Sequence, residues 1–198
     1  MAEKKRRPGG RSARVSAAVL DAALSLIETR GLSGFSIADV ASRSGVHETT
    51  IYRRWGDLDH LLVQTLLERV RVEIPEADTG SLRKDLIRMV RSAVVFFFSP
   101  TGRLLLRALA SMGEEADGLK RAFWREKSLV LERALERARS RGELGPDVDT
   151  TYFVQAIAAP LYFRILVTGD PIGKDFPQKA VDTVLAGAAG KVSRGTSK

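Results

Sequence analysis

The stretch Ser42-Arg43-Ser44-Gly45-Val46-His47 interrupts two runs of helical spacing, one from Ser36 to Ala41 and one from Glu48 to Trp55. Glycine adopts the left-handed backbone geometry that ends a helix without the Cβ clash of other residues, so Gly45 predicts a tight corner between two short helices. Ala41 is small enough to let the helices cross closely, and Val46 and Ile51 supply the apolar contact that fixes the crossing. This small, glycine, aliphatic spacing is that of a helix-turn-helix, whose second helix enters the DNA major groove.

Helical spacing sorts that second helix into faces. Ile51 and Trp55 lie one turn apart and point inward, while Glu48 with Tyr52 and Thr49 with Arg53 form two outward rows, with His47 at the entrance. Arg53 is the first candidate for a base contact, because a guanidinium can bond two guanine acceptors at once, worth about 1–3 kcal/mol of discrimination. Its plainer role is a phosphate contact. Thr49 and His47 are further base-reading candidates. Tyr52 reads as a phosphate contact or as packing under the helix. Glu48 either accepts from cytosine or favours the helix dipole, and its place in the first turn favours the dipole. Ser36 and Asp39 match a capping box, with Phe35 and Val40 as its apolar staple, and the Ser36 hydroxyl is also placed to meet a phosphate.

Charge points to the same partner. The net charge is +8, and Lys4, Lys5, Arg6, Arg7, Arg11 and Arg14 face only Glu3 at the start of the chain. Such an arm adds salt-sensitive attraction to DNA or follows the minor groove; the alternative is a solubilising tail. Lys191, Arg194 and Lys198 form a sparser basic tail.

Beyond the corner every strong pattern is helical. Val15, Val19, Ala22, Ala23, Leu26 and Ile27 make one apolar face before Gly31, and Asp57 can cap a helix carrying Leu58, Leu61, Leu62 and Leu66. The segment Glu73 to Ser81 reads as a hinge. Five further helices follow, starting near Leu82, Gly102, Leu119, Thr150 and Phe176, with Ser99-Pro100, Gly142, Gly145-Pro146 and Gly169-Asp170-Pro171 as separators. The expectation is an all-α fold: a basic arm (1–11), a DNA-binding domain (12–72) with its helix-turn-helix at about 36–55, a C-terminal bundle (80–191) and a basic tail (192–198). A hydrophobic fraction of 44% is ample for such a core.

Two features of the bundle suit ligands and partners. Met89, Phe96, Phe97, Met112, Phe123, Trp124 and Tyr162 offer an aromatic, adaptable lining for an apolar or aromatic molecule, although each is individually suited to ordinary core. Phe96, Phe97 and Phe98 point about 100° apart around a helix, so they cannot all face one core. Phe153, Ile157, Leu161 and Ile165 form a broad apolar face, as do Val181, Val184, Leu185 and Ala188. These faces fit either a four-helix homodimer interface or one chain's core. Arg164, within the first face, then needs a carboxylate or carbonyl partner, and Pro160 is expected to bend its helix.

Other classes find little support. There is no cysteine for a disulfide, thiolate metal site or nucleophile, and only His47 and His60 for imidazole chemistry. No phosphate loop or nucleophile-base pair is legible, so neither an enzyme, a metal nor a cofactor is expected. No run reaches the roughly 20 apolar residues of a spanning helix, and the basic start lacks a signal peptide's apolar core. A soluble, cytoplasmic protein is the expectation.

The run GLSGFSIADVASRSGVHETTIYRRWGDLDHLL closely resembles the DNA-binding domain of the TetR family of bacterial transcriptional regulators. The resemblance implies a dimer formed through the last two helices and a small-molecule effector that enters the C-terminal bundle and releases operator DNA. Two positions depart from the family pattern: His47 stands where serine or threonine is usual, and Leu58 where a phosphate-gripping lysine is usual. Arg43, Arg53, Arg54 and the arm are available to compensate. The reading is therefore a dimeric, ligand-responsive regulator, most simply a repressor, on a pseudo-palindromic double-stranded operator. A low-specificity architectural DNA binder is the alternative.

Overall fold

A computed structural model of the chain describes residues 10–31 and 34–189. The described residues form nine α-helices and no strand: α1 (Arg11–Arg30), α2 (Ile37–Ser44), α3 (Glu48–Trp55), α4 (Leu58–Glu73), α5 (Leu82–Phe98), α6 (Pro100–Ser111), α7 (Asp117–Ser140), α8 (Thr150–Phe163) and α9 (Phe176–Ala189). They gather into two compact units, one up to Glu68 and one from Arg69 onward.

In the first unit α1 packs on α2 and α2 on α3. The α1 stripe of Val19, Ala22, Ala23, Leu26 and Ile27 is buried, as its spacing requires. Arg11 and Arg14, expected in the arm, instead belong to the opening turn of α1. Lys4, Lys5, Arg6 and Arg7 lie outside the described residues, as does the basic tail. The Ser36 hydroxyl accepts from the Asp39 amide at 3.3 Å and the Asp39 carboxylate accepts from the Ser36 amide at 2.8 Å, a complete capping box over buried Phe35, Ile37 and Val40. At the next helix start the Asp57 carboxylate accepts from the His60 amide at 2.9 Å.

In the second unit α5 is the central helix, packed on α6, α7, α8 and α9. Phe96 and Phe97 both enter the core, and Phe98 lies half-buried with the Arg103 guanidinium 4.9 Å above its ring. The segment read as a hinge is held down. Glu76 bonds Arg137 at 2.5 Å and Arg133 at 3.1 Å on α7, and buried Asp85 accepts from the amide and hydroxyl of Thr79 at 2.7 and 2.6 Å. Arg83 on α5 grips Asp182 on α9 with two bonds of 2.7 and 2.9 Å.

Ser99-Pro100 separates α5 from α6, as its sequence predicts, and does so at a corner of 87°. Proline is tolerated at the first position of a helix because no carbonyl awaits its missing amide hydrogen, and Ser99 caps α6 by accepting from Gly102 at 3.1 Å.

Pro160 lies inside α8, which gives way at Arg164–Thr168 to a wider π turn closed by the Gly169 amide on the Arg164 carbonyl at 2.8 Å. The continuous stretch Thr150–Thr168, with mean hydropathy 1.2, is long and apolar enough for a membrane span by length and composition, a longer run than the sequence reading allowed. Here its buried side faces α7 and α9.

The interface residues expected on these last helices require correction. Phe153, Ile157, Leu161, Ile165 and Val181 are buried within their own chain, so their side chains build the protomer core rather than an outward face. Apolar periodicity identifies the covered side of a helix but not what covers it. Arg164 turns to its own chain as well, donating to the Pro171 carbonyl at 2.8 Å and lying over the Phe176 ring. Val184, Leu185 and Ala188 remain half-buried.

Candidate nucleic-acid interface and effector pocket

Gly45 makes the corner between α2 and α3 in the left-handed region, with φ 69° and ψ 18°, and its amide donates to the Ala41 carbonyl at 3.0 Å. A side chain there would force an L-residue into a conformation costing about 1 kcal/mol or more. Ile51 is fully buried and Trp55 is 8% exposed, so α3 is anchored along one edge. Its other side carries His47, Glu48, Thr49, Tyr52 and Arg53, all exposed. Among the described residues none of these five side chains has a hydrogen-bond partner, which leaves their donors and acceptors directed to solvent. His47 stands at the cap position of α3 without a side-chain capping bond.

Arg54, Arg43 and Ser36 are engaged within the chain. Arg54 donates to the Ser12 carbonyl and hydroxyl and lies over the Trp55 ring. Arg43 donates to the Ser25 hydroxyl at 2.5 Å, and the Ser36 hydroxyl donates to Asp39 at 2.7 Å. Hydrogen bonds from the Ser36 hydroxyl and amide, with Arg30 beside them, hold the Asp39 carboxyl down to a pKa of about 2. Arg14 is exposed on α1.

The second unit contains an apolar cavity of about 60 Å³ between α5, α7 and α8. Of the residues expected to line a pocket, Met89, Trp124 and Tyr162 do so; Phe96, Phe97, Met112 and Phe123 stand outside its wall. Ile157 and Leu161, expected at a dimer interface, line it instead. At one side of the cavity the rings form a continuous edge-to-face set, Phe97 to Tyr162 at 5.4 Å and Tyr162 to Trp124 at 5.2 Å. Lys127 projects into this set. Its ammonium is 4.7–4.9 Å from the centres of the Phe97, Trp124 and Tyr162 rings and donates to the Tyr162 hydroxyl. Burial pushes its pKa down to about 7, because the charged form is the one that loses hydration.

A separate surface concavity of about 320 Å³ lies along α8 and α9, bordered by exposed Tyr152 and by Ala156, Val184, Gly187 and Ala188.

Residues 19–65 match the family model for bacterial regulatory proteins of the tetR family, and residues 76–184 match the tetracyclin repressor-like C-terminal domain. The chain is 32% identical over 179 residues to the HTH-type transcriptional regulator AqdR of Rhodococcus erythropolis, covering 89% of this chain and 86% of that one. The chain belongs to the TetR family of bacterial transcriptional regulators. It is also 33% identical over 174 residues to the DNA-binding transcriptional repressor TetR of Mycobacteroides abscessus, covering 86% and 91% of the two chains. Among solved structures, the TetR family transcription regulator SCO0332 superposes with a TM-score of 0.74 at 28% identity, covering 88% of this chain and 98% of that one.

This TetR-family chain is thus a transcriptional regulator with an N-terminal helix-turn-helix DNA-binding domain and an all-helical C-terminal domain. Sequence reasoning missed Lys127. The signal was present: Phe123, Lys127 and Leu131 succeed one another at four-residue steps, which sets a lysine within an apolar stripe of α7.

Proposed function

We propose that the chain acts in the cytoplasm as a homodimeric repressor on a pseudo-palindromic operator, released when an apolar or aromatic molecule enters the bundle. The observation that carries this is the division of α3 into a buried edge, Ile51 and Trp55, and an outward row of unpartnered polar side chains. Arg53 reads bases with Thr49 and His47. Tyr52, Arg43, Arg54, Arg14 and the amides and hydroxyl at Ser36 serve the phosphates, and Lys4, Lys5, Arg6, Arg7 and Arg11 extend the basic surface. Two copies of α3 occupy successive major grooves, about 34–36 Å apart.

The dimer forms through the outward sides of α8 and α9, where Ala156, Gly187 and Ala188 are small enough for close helix approach and Tyr152 and Val184 supply apolar area. An effector in the cavity beside Met89, Trp124 and Tyr162 shifts the dimer toward a spacing that no longer fits the operator. It does so only through a difference in its affinity for the two arrangements.

Selection of genomic fragments bound by the purified chain supplies the operator, and affinity for that palindrome is then compared with random duplex. A large preference supports the repressor reading, whereas a ratio near one replaces it with a low-specificity architectural binder. Ala188→Glu places a charge on the proposed interface; light scattering is expected to show monomers, and an unchanged dimer removes α8 and α9 from that role.

A further inference from the structure

Lys127 presents an unusual balance. An ammonium has three hydrogens to donate, yet among the described residues only the Tyr162 hydroxyl accepts from it, and no carboxylate forms an ion pair with it. Its surroundings are ring faces and aliphatic wall. Ring faces attract a cation through their quadrupoles but accept no full hydrogen bond, so this half-buried ammonium keeps donors to offer and has no counter-charge among the described residues.

We infer that the cavity between α5, α7 and α8 takes an apolar organic acid, whose body lies among Met89, Ile157 and Leu161 and whose anionic oxygen pairs with the Lys127 ammonium. The inference rests on the proposed effector pocket and names the chemical class of its ligand. Two donors converge on such an oxygen: the Lys127 N–H groups, and the Tyr162 hydroxyl, which accepts from Lys127 and so has its own hydrogen free to donate. A neutral ligand leaves the lysine's charge uncompensated. A cationic one must displace an ammonium that is tethered to α7 and already occupies the ring faces.

The cavity, about 60 Å³, is smaller than the roughly 150 Å³ that accommodates benzene in an engineered core. Binding therefore requires the wall or the lysine to move. Lys127 has a flexible four-carbon stem, and withdrawing its head from between the rings to meet an anion both enlarges the space and pairs the charge.

Calorimetric titration of the full-length protein tests this with two matched pairs, octanoate against octanamide and benzoate against benzamide, each pair alike in shape and differing in charge. The expected result is that at least one acid binds roughly tenfold or more tightly than its amide, about the weight of one charge-assisted hydrogen bond. Lys127→Met is expected to abolish that preference and Lys127→Arg to retain it, with circular dichroism confirming that both variants are folded. Acids and amides binding equally to the unmodified protein overturns the acid inference and leaves the effector pocket standing, as does an acid preference that survives Lys127→Met. Absence of binding by all four probes removes the pocket reading and this inference together.

Discussion

The Arg54 guanidinium donates to both the carbonyl and the hydroxyl of Ser12, at 3.1 and 3.0 Å, and so ties the end of α3 to the start of α1. Its neighbour Arg53 makes no such bond. The two arginines, adjacent in sequence, therefore separate into one that braces the recognition helix and one free to read DNA. Arg53→Ala is expected to weaken operator binding by roughly 5- to 150-fold, the range set by one bidentate base contact, and to relax selectivity at one base position without changing the melting temperature. Arg54→Ala is expected to lower the melting temperature slightly and to weaken all duplexes alike. Equal losses of selectivity in the two variants, measured by fluorescence anisotropy on operator and random DNA, contradict this division.

Asp39 governs the entry to the helix-turn-helix. Its carboxyl is held at about 2, below its ordinary 3.8, first by the Ser36 hydroxyl, then by the Ser36 amide and Arg30. A carboxyl whose pKa falls on folding contributes stability that is fully present above its unfolded value and is lost as pH falls through the folded one. Asp39→Asn keeps a hydrogen-bond acceptor and removes the charge. Its melting temperature is expected to lie below that of the parent protein at neutral pH, with the gap closing between about pH 4 and pH 2. A gap that stays constant over that window refutes the assignment.

The same region shows how far the sequence could be read. The Ser36 and Asp39 box, the Gly45 corner and the inward Ile51 and Trp55 were legible because each depends on residues within a few positions of one another. Local signals failed where the partner was distant. Phe153, Ile157 and Leu161 were recognisable as apolar, but only the packing of α7, α8 and α9 decides that they belong to the protomer core and cavity wall. Ser99-Pro100 marks the boundary between two helices in the sequence, since proline ends one helix and opens another by the same missing hydrogen, but nothing local gives the 87° at which they meet. Lys127 is harder to single out, because a lysine directly after Arg125 and Glu126 in a mostly polar helix reads as surface.

The α5–α6 corner depends on Gly102 through lack of space rather than through unusual torsion angles. A Cβ built there would stand 2.0 Å from the Phe96 carbonyl oxygen, which is backbone and has no rotamer to yield. Gly102→Ala therefore runs against its ordinary benefit in helices. It is expected to destabilise the protein by about 1–3 kcal/mol, as overpacking of a close contact does. Thermal or urea unfolding checks this, and a variant as stable as the parent shows that the corner can open without cost.

Lys127 imposes a pH-dependent cost on the bundle. Its ordinary pKa of 10.5 falls to about 7 through burial. Between those values the unfolded chain binds a proton that the folded chain does not, so stability rises with pH across the window and the penalty is complete below about 7. The facing rings of Phe97, Trp124 and Tyr162 favour the charged form and reduce the cost without removing it. The Tyr162 hydroxyl is the only titratable group bonded to the amine among the described residues. Lys127→Met fills the same space without charge, and it is expected to raise the melting temperature clearly at about pH 6 and progressively less toward pH 9. Melting curves of the two proteins across that range, each without added acid, decide the matter: a stabilisation independent of pH would mean that the methionine gains only by packing, and that the lysine carries no buried charge.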